Sequence, residues 1–338
     1  MSLAIVILNW NGKHFLEKFL PLLEKRSRLP GTFIVIADNG SKDDSCSYVK
    51  ENHPDVRLIE MGDNYGFTGG YNLALSLVEA DYYLLLNSDV EVTRGWLDPL
   101  VKAMHSNPGM GICMPKIKSA YDTNSFEYAG ASGGFIDTLG YPFCRGRILS
   151  CLERDEGQYD QQMEIFWASG AAMMIRSSLF WELGGFDDRF FAHMEEIDLC
   201  WRAKQRGWQV WVVPESAVYH VGGGTLPNNS PSKLYLNYRN NLFMLYKNLP
   251  ERSLYLTFIA RFFMDSAAAV LFILTLRFSY FWAVIRAYAD FLNKKPGIER
   301  DSNLVNKKLS GIFRGSIVLS FFLRWGRLRF FDVGADIT

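Results

Sequence analysis

The chain has 338 residues, 49% of them apolar and 15% aromatic, with 36 basic residues balanced by 36 acidic ones. These values exclude intrinsic disorder, collagen-like repeats and coiled coils, and describe a globular protein of one or two domains with a large core. Zero net charge hides an asymmetry: residues 1–232 hold 20 basic against 29 acidic side chains, and residues 233–338 hold 16 against 7, so the two parts face different partners.

From the N-terminus, short apolar runs alternate with helical patterns, the signature of a mostly parallel α/β sheet covered on both faces. Strands are predicted at Leu3–Leu8, Phe33–Asp38, Val56–Met61 and Tyr82–Asn87, and helices near His14–Lys25, Asp44–Glu51, Gly70–Glu79 and Gly95–Ser106. Leu3–Leu8 is too short and too lightly flanked by basic residues for a signal peptide, so a cytoplasmic location is expected. Each strand runs out into polar residues: Asn9-Trp10-Asn11-Gly12, Asp38-Asn39-Gly40-Ser41, Gly62-Asp63-Asn64-Tyr65 and Asn87-Ser88-Asp89. Open α/β sheets bind ligands beyond the carboxyl ends of their strands, so these exits predict one nucleotide-sized crevice.

Residues 110–162 are less regular and suggest no chemistry. Order returns with a strand at Ile165–Ile175, a loop at Gly184–Asp187, a helix near Glu195–Arg206 and a strand at Gln209–Val213. Glu195, Glu196 and Asp198 crowd the start of that helix, where its dipole favours negative charge. Cys46, Cys113, Cys144, Cys151 and Cys200 form no CxxC pair, which argues for reduced thiols rather than a disulfide framework or a zinc site.

Beyond a Gly/Pro/Asn/Ser linker (Gly222–Ser232), a long helical region is strongly apolar from Leu254 to Leu292. The apolar stretch between Asp265 and Arg277 is shorter than the roughly 20 residues that a membrane span requires. Together with Arg261, Arg277, Arg286, Lys294, Lys295, Lys307, Lys308, Arg314, Arg324, Arg327 and Arg329, it reads as interfacial amphipathic helix on a membrane surface. A helical subdomain packed on the sheet and a true membrane span are the alternatives.

Three segments carry candidate chemistry. Asn87-Ser88-Asp89-Val90-Glu91 puts carboxylates at a strand tip, where a hard cation takes one or two carboxylates plus phosphate oxygens, although a capped turn explains Ser88-Asp89 as well. Asp38 ends a buried-type strand and suits either a base or ribose hydroxyl, or an Asx-turn. The glycine-rich passage Asn64–Asn72 offers backbone N–H groups and a helix N-terminus to phosphate, and matches neither GxGxxG nor the Walker pattern.

The ordered set Val6-Ile7-Leu8-Asn9-Trp10-Asn11-Gly12, Asp38-Asn39-Gly40-Ser41, Asn64-Tyr65-Gly66-Phe67, Asn87-Ser88-Asp89-Val90-Glu91, Gly185-Phe186-Asp187 and Glu195-Glu196-Ile197-Asp198-Leu199-Cys200-Trp201-Arg202 resembles the family 2 glycosyltransferases of GT-A fold. Within them it is most similar to bacterial rhamnosyltransferases of surface polysaccharide assembly, over about residues 3–250. The resemblance implies a Rossmann-like, mostly parallel GT-A domain over residues 1–232 and a basic, apolar helical region over 233–338. It implies inverting transfer from a nucleotide-sugar, dTDP-rhamnose in the nearest case, to a hydroxyl of a saccharide or polyprenyl-diphosphate-linked acceptor, with Mg²⁺ or Mn²⁺ as cofactor.

Position by position, Asn9, Asp38, Asn64, Gly66, Asn72, Asn87 and Ser88 would line the nucleotide-sugar. Asp89 holds the last position of a DxD-like metal motif whose first position is Asn87; Glu91 would assist through water and His220, before Gly222-Gly223-Gly224-Thr225, would complete the coordination. Glu195-Glu196 matches a Glu-Asp motif whose second carboxylate is the catalytic base, so Glu196 is the expected base, with Glu195 second and Asp198 paired to Arg202. Trp167, Gly170 and Ala171 match the loop that shapes the acceptor side, Trp167 fitting either a sugar face or the core. The implied partners are a nucleotide-sugar, a saccharide or lipid-linked acceptor and the inner face of the cell membrane, with no nucleic acid. A UDP-sugar donor, a sugar nucleotidyltransferase and a catalytically dead carbohydrate-binding relic are the alternative readings.

Overall fold

The structure is a computed structural model that describes residues 1–222, 230–298, 300 and 309–338. Its first quarter follows the sequence pattern closely. Strands β1 (Leu3–Asn9), β2 (Thr32–Asp38), β3 (Arg57–Glu60) and β4 (Tyr82–Asn87) pair in parallel in the order β3-β2-β1-β4, with α1 (Lys13–Arg26), α2 (Ser45–Asn52) and α3 (Gly66–Ser76) as crossovers. β1 is buried along its whole length except for Leu8, which stays partly covered, as a central strand between two helical layers requires. In α1, Leu16, Phe19, Leu20 and Leu23 recur at helical spacing and form its buried stripe.

β5 (Val90–Val92), α4 (Leu97–Ser106) and β6 (Met110–Ser119) come next, and then a small second sheet begins with β7 (Gly134–Asp137), β8 (Pro142–Cys144), β9 (Arg147–Ile148) and β10 (Cys151–Leu152). The expected long strand at Ile165–Ile175 forms only in its last part, as β12 (Ala172–Arg176), preceded by the edge strand β11 (Met163–Glu164). Residues 165–171, largely buried, carry the chain from β11 past β13 and β6 to the place of β12 in the middle of the sheet. β12 runs antiparallel between β4 and β6. After α5 (Ser177–Glu182) and α6 (Glu195–Gln205), β13 (Gln209–His220) lies parallel to β6 and extends seven residues past the expected Val213, past a bulge at Val213/Ala217, to reach the strand tips.

The C-terminal part consists of α7 (Pro231–Asn248), α8 (Glu251–Leu274), α9 (Phe278–Lys294), β14 (Ile312–Phe313) and α10 (Ile317–Leu323). Ser230 caps α7, its Oγ accepting from the Lys233 amide at 3.2 Å. Gly223, Gly224, Thr225, Lys307 and Lys308 lie outside the described residues. β14 pairs in parallel with β7, so residues 309–338, grouped by sequence with the helical region, complete the second sheet in the order β10-β9-β8-β7-β14. Phe313 and Phe330 pack on Phe143, and Phe330 also meets Phe135 and Tyr159.

By length and composition α8 is apolar enough to cross a membrane, with a mean hydropathy of 1.8, yet only 22% of that window is buried. Its buried residues are Leu254, Thr257, Arg261, Asp265 and Ala269, a single stripe that is largely polar. The helix is thus inside out: charge faces the protein while Leu256, Phe263 and Leu274 are exposed. The inward charges are paired. Arg261 donates to Asp265 at 3.2 Å and to Asn241, and lies 3.9 Å over the Tyr141 ring, while Tyr141 and Tyr288 donate to Asp265 at 2.8 and 2.7 Å.

Candidate active site

The site assembles where β1, β2, β4 and β13 end. Asn9, wholly buried, donates from Nδ2 to Asp38 Oδ2 (3.1 Å) and Ser41 Oγ (3.2 Å), and Asp38 Oδ1 accepts from the Ser41 amide (2.9 Å). A carboxylate has about four lone-pair sites, so Asp38 keeps acceptor capacity for a nucleoside hydroxyl or base N–H. Asn39 ties the β2 exit to the β3 exit: its Nδ2 donates to Asn64 Oδ1 (3.1 Å) and Gly66 O (2.9 Å), and its Oδ1 accepts from the Tyr65 amide (3.0 Å). Gly66 has a left-handed φ of 72°, and the Phe191 ring stands where a Cβ would project, so only glycine fits. Asn9, Asp38, Asn64 and Gly66 therefore belong to one network.

Asn72 does not join it. α3 begins at Gly66, earlier than expected, and the Phe67 and Thr68 amides at its start donate to Phe191 O at 2.8 and 3.3 Å. The helix terminus expected to meet phosphate is thus capped by a carbonyl from another loop. Asn72 Nδ2 donates to Phe186 O and Asp188 Oδ1, both at 2.8 Å, and its Oδ1 accepts from the Phe186 amide at 2.9 Å, so it braces the loop ahead of α6.

The tips of β4 and β13 bring Asp89 and His220 together. His220 Nε2 lies 3.1 Å from Asp89 Oδ1 and 3.5 Å from Asn87 Nδ2, and Asp89 Oδ2 accepts from the Gly222 amide at 3.2 Å. Behind the imidazole, buried Glu127 sits 3.5 Å from Nδ1, an ion-pair contact that leaves Nδ1 without a hydrogen bond. Burial opposes the charged imidazole, but the flanking Asp89 and Glu127 carboxylates overcome it and raise His220 to about 10. Burial likewise opposes the Asp89 carboxylate, and His220 holds it below the usual range. Ser88 is half-buried beside Gly12.

The Asp89 carboxylate suits a hard cation such as Mn²⁺ or Mg²⁺, the remaining positions falling to diphosphate oxygens and water, whereas His220, charged and paired with Asp89, would join only on giving up its proton. Among the described residues no cluster of three or more His, Cys, Asp or Glu side chains is arranged for a metal. Glu91 does not contribute: strand alternation buries Val90 and Val92 and turns Glu91 the other way, to Arg26 at 3.1 Å. Glu127 carries no signal in the sequence because it lies in the irregular stretch after β6, with no motif around it.

The carboxylate pair stands at the start of α6, after a loop with three non-glycine residues in the left-handed region: Phe191 (φ 64°), His193 (φ 71°) and Met194 (φ 72°). Each such residue costs on the order of 1–3 kcal/mol and persists only where its surroundings impose it. Glu195 is buried, Glu196 is half-buried, and Oε2 of each lacks a hydrogen-bond partner. Burial pushes both carboxyls up, and the neighbouring Glu196 charge adds to the rise at Glu195. Asp198 behaves oppositely despite complete burial. Arg202 (2.8 Å), Lys247 (3.0 Å) and Asn248 (2.7 Å) donate to it and hold it low. The Cys144 thiol in β8 is pushed up to about 12 by burial, against Arg147 and with a further push from Glu127 and Glu196.

On the expected acceptor side, Trp167 is core. Its Nε1 donates to Phe135 O at 3.0 Å, and its ring lies against Gly134, where a Cβ would clash, so it offers no face to a sugar. Ala171 is buried, and its carbonyl accepts from the Asn87 amide at 3.0 Å, fixing the β4 tip. Gly170 lies beside the Phe67 ring.

The profile of the Glycosyl transferase family 2 matches residues 4–184. Over 258 residues the chain is 27% identical to an N-acetylglucosaminyl-diphospho-decaprenol L-rhamnosyltransferase of Mycobacterium tuberculosis, covering 72% of this chain and 83% of that protein. It is 25% identical over 247 residues to a low-salt glycan biosynthesis hexosyltransferase of Haloferax volcanii, covering 71% and 74%. Among solved structures, S. aureus TarS 1-349 in complex with UDP-GlcNAc superposes with a TM-score of 0.57 at 15% identity, over 87% of this chain and 81% of that one. GalNAc-T7 with UDP, GalNAc and Mn²⁺ also gives 0.57, at 18% identity; 74% of this chain is covered, spanning 48% of that one. The fold is GT-A, and the chain belongs to the family 2 glycosyltransferases.

Proposed function

We propose that the protein is an inverting, metal-dependent transferase that moves a sugar, best matched by L-rhamnose from dTDP-rhamnose, onto a hydroxyl of a saccharide carried on a polyprenyl diphosphate. The observations that carry this reading are the pairing of Asp89 with His220 at 3.1 Å on the strand tips and, at the start of α6, a half-buried carboxylate, Glu196, with an unpartnered oxygen. The choice of sugar and acceptor draws on the rhamnosyltransferase relative, whose name specifies both and most of whose length this chain covers.

Each residue has its own task. Asp38, oriented by Asn9 and Ser41, accepts from the nucleoside. Asp89, with His220 once it has lost its proton, would hold a divalent cation, which when bound would neutralise the charge of the departing diphosphate. Glu196 takes the proton of the acceptor hydroxyl as that oxygen bonds to the anomeric carbon. The bond from that carbon to the β-phosphate oxygen breaks on the opposite side, its electron pair leaves with the nucleoside diphosphate, and the configuration inverts. A base lifted by burial towards neutrality suits this proton transfer.

The acceptor reading draws on the C-terminal helices. Leu256, Phe263 and Leu274 of α8, Trp282 of α9, and Leu323 and Trp325 at the end of α10 are exposed, with Arg324 and Arg327 among them. An apolar face edged with cations suits the anionic cytoplasmic leaflet, where a polyprenyl diphosphate resides.

The first test is thermal stabilisation by nucleoside diphosphates and their sugars, each with Mg²⁺, Mn²⁺ or chelator, because a ligand of the native state raises Tm. Metal-dependent stabilisation by dTDP and dTDP-rhamnose is expected. UDP-sugars acting instead would replace the donor, and no response to any nucleotide would overturn the reading.

A further inference from the structure

The loop that presents Glu196 is held by atoms that no catalytic role accounts for. Of the residues leading into α6, Phe191, His193 and Met194 all have positive φ, a conformation that L side chains resist. Such a run keeps its shape only if something else fixes it. From below, Phe191 O accepts from the α3 amides. From above, every other carbonyl from residue 189 to 193 receives a side chain of α7: Arg239 Nη2 donates to Arg189 O (3.2 Å) and Phe190 O (3.1 Å), and Asn240 Nδ2 to Phe190 O (2.9 Å), Ala192 O (2.8 Å) and His193 O (2.8 Å). Asn240 is wholly buried and Arg239 is 7% exposed, so water does not compete for these bonds.

Both side chains are themselves fixed. Arg239 Nε donates to Asn240 Oδ1 at 2.9 Å, locking the amide so that its N–H groups face the loop. Arg239 also reaches the Tyr235 hydroxyl at 3.3 Å, which bonds Asp290 of α9, and the next residue, Asn241, accepts from Arg261 of α8. A chain of hydrogen bonds therefore runs from α9, through Tyr235 and Arg239 of α7, to the carbonyls just before the base, while α8 reaches the neighbouring Asn241.

We propose that Arg239 and Asn240 are positioning residues for glycosyl transfer, which act by clamping the strained loop 189–194 so that Glu196 points at the acceptor hydroxyl. The inference rests on the assignment of Glu196 as base. It adds that the base is aimed from the C-terminal helices rather than from the sheet that binds the donor.

The experiment compares the full-length protein with Asn240→Ala, Asn240→Asp and Arg239→Lys. Transfer kinetics are measured with the donor identified by thermal stabilisation, and hydrogen–deuterium exchange is followed on peptides spanning 187–205. The clamp predicts that both Asn240 variants turn over at least about 50-fold more slowly, with donor KM within about threefold and nucleotide-induced stabilisation retained. Arg239→Lys, which keeps one donor, slows less. Exchange in 189–194 rises at least about tenfold while the Leu199–Ala203 amides stay unchanged. Unchanged turnover and unchanged exchange would overturn the proposal, as would a global loss of protection with donor KM and kcat changing together, which marks an ordinary folding residue. The exchange arm needs no substrate. If the wild-type protein transfers no sugar while loop exchange still responds to Asn240→Ala, the glycosyltransferase mechanism fails and the clamp stands.

Discussion

At the scale of single residues, the two glutamates at the head of α6 are neighbours with different tasks. Glu196→Gln keeps the shape and removes the base, so turnover should fall about 10²–10⁴-fold while donor KM holds, in steady-state kinetics. The sign of the pH dependence follows from the raised Glu196 carboxyl. It accepts a proton only when ionised, so activity is lost as pH falls through about 7. Glu195, buried without a partner for Oε2, is an acid whose folded form favours the proton. Its burden on stability grows as pH rises above the ordinary carboxylate range, so Glu195→Gln should stabilise the protein more at pH 8 than at pH 4 in denaturant titrations. At the strand tip, Asp89→Ala should abolish metal-dependent stabilisation by nucleotide. Glu91→Ala, which breaks only a partly exposed pair with Arg26, should leave that response intact and cost less than about 1 kcal/mol. The positions of Asp38, Asp89 and His220 at strand tips and of Glu196 at a helix start were legible because each stands in a motif at the edge of an element. Glu91 and Asn72 sit inside the same motifs yet point elsewhere, since one residue along a strand or half a helical turn reverses a side chain's direction and motif membership does not record it.

At the scale of elements, α6 and α7 act as a pair. Asp198, with no exposure to water, depends on donors from both helices, and Asn248 alone satisfies its Oδ1. Asn248→Ala should therefore cost about 1–3 kcal/mol in chemical denaturation, the usual penalty for a buried acceptor left unpaired. Helix propensity and the Asp198–Arg202 spacing identify α6 from sequence, but a partner 50 positions further along carries no local signal. The same limit explains β12. Its apolar run joins seamlessly to residues 165–171, so periodicity alone reads one strand where a largely buried connection leads into a shorter one. α3 shows the converse case: Gly69 and Gly70 look like loop, yet the Phe191 carbonyl caps the helix upstream of them and lets it begin at Gly66.

At the scale of the whole molecule, composition anticipated the division of charge, and the structure gives it a shape: a helical hairpin with its polar stripe inward and its apolar surface outward. Replacing Leu274 and Trp325 by Glu should abolish flotation with anionic vesicles while leaving Tm within a few degrees, because both side chains are exposed, at 74% and 92%. A truncation near Pro250 would test this poorly. It removes Arg261, the buried partner of Asn241, and β14, the strand that completes the second sheet.

That last strand also bears on how the chain is made. β7 waits beside an open edge until residues 312–313 leave the ribosome, some 170 residues later. Synthesis at about 5–20 residues per second makes this an interval of roughly ten seconds or more. During it the apolar hairpin emerges before the body that anchors it is finished. A nascent chain in that state carries its greasy helices exposed while the second sheet is still unfinished, so whatever covers that apolar face can reach it before the fold is complete.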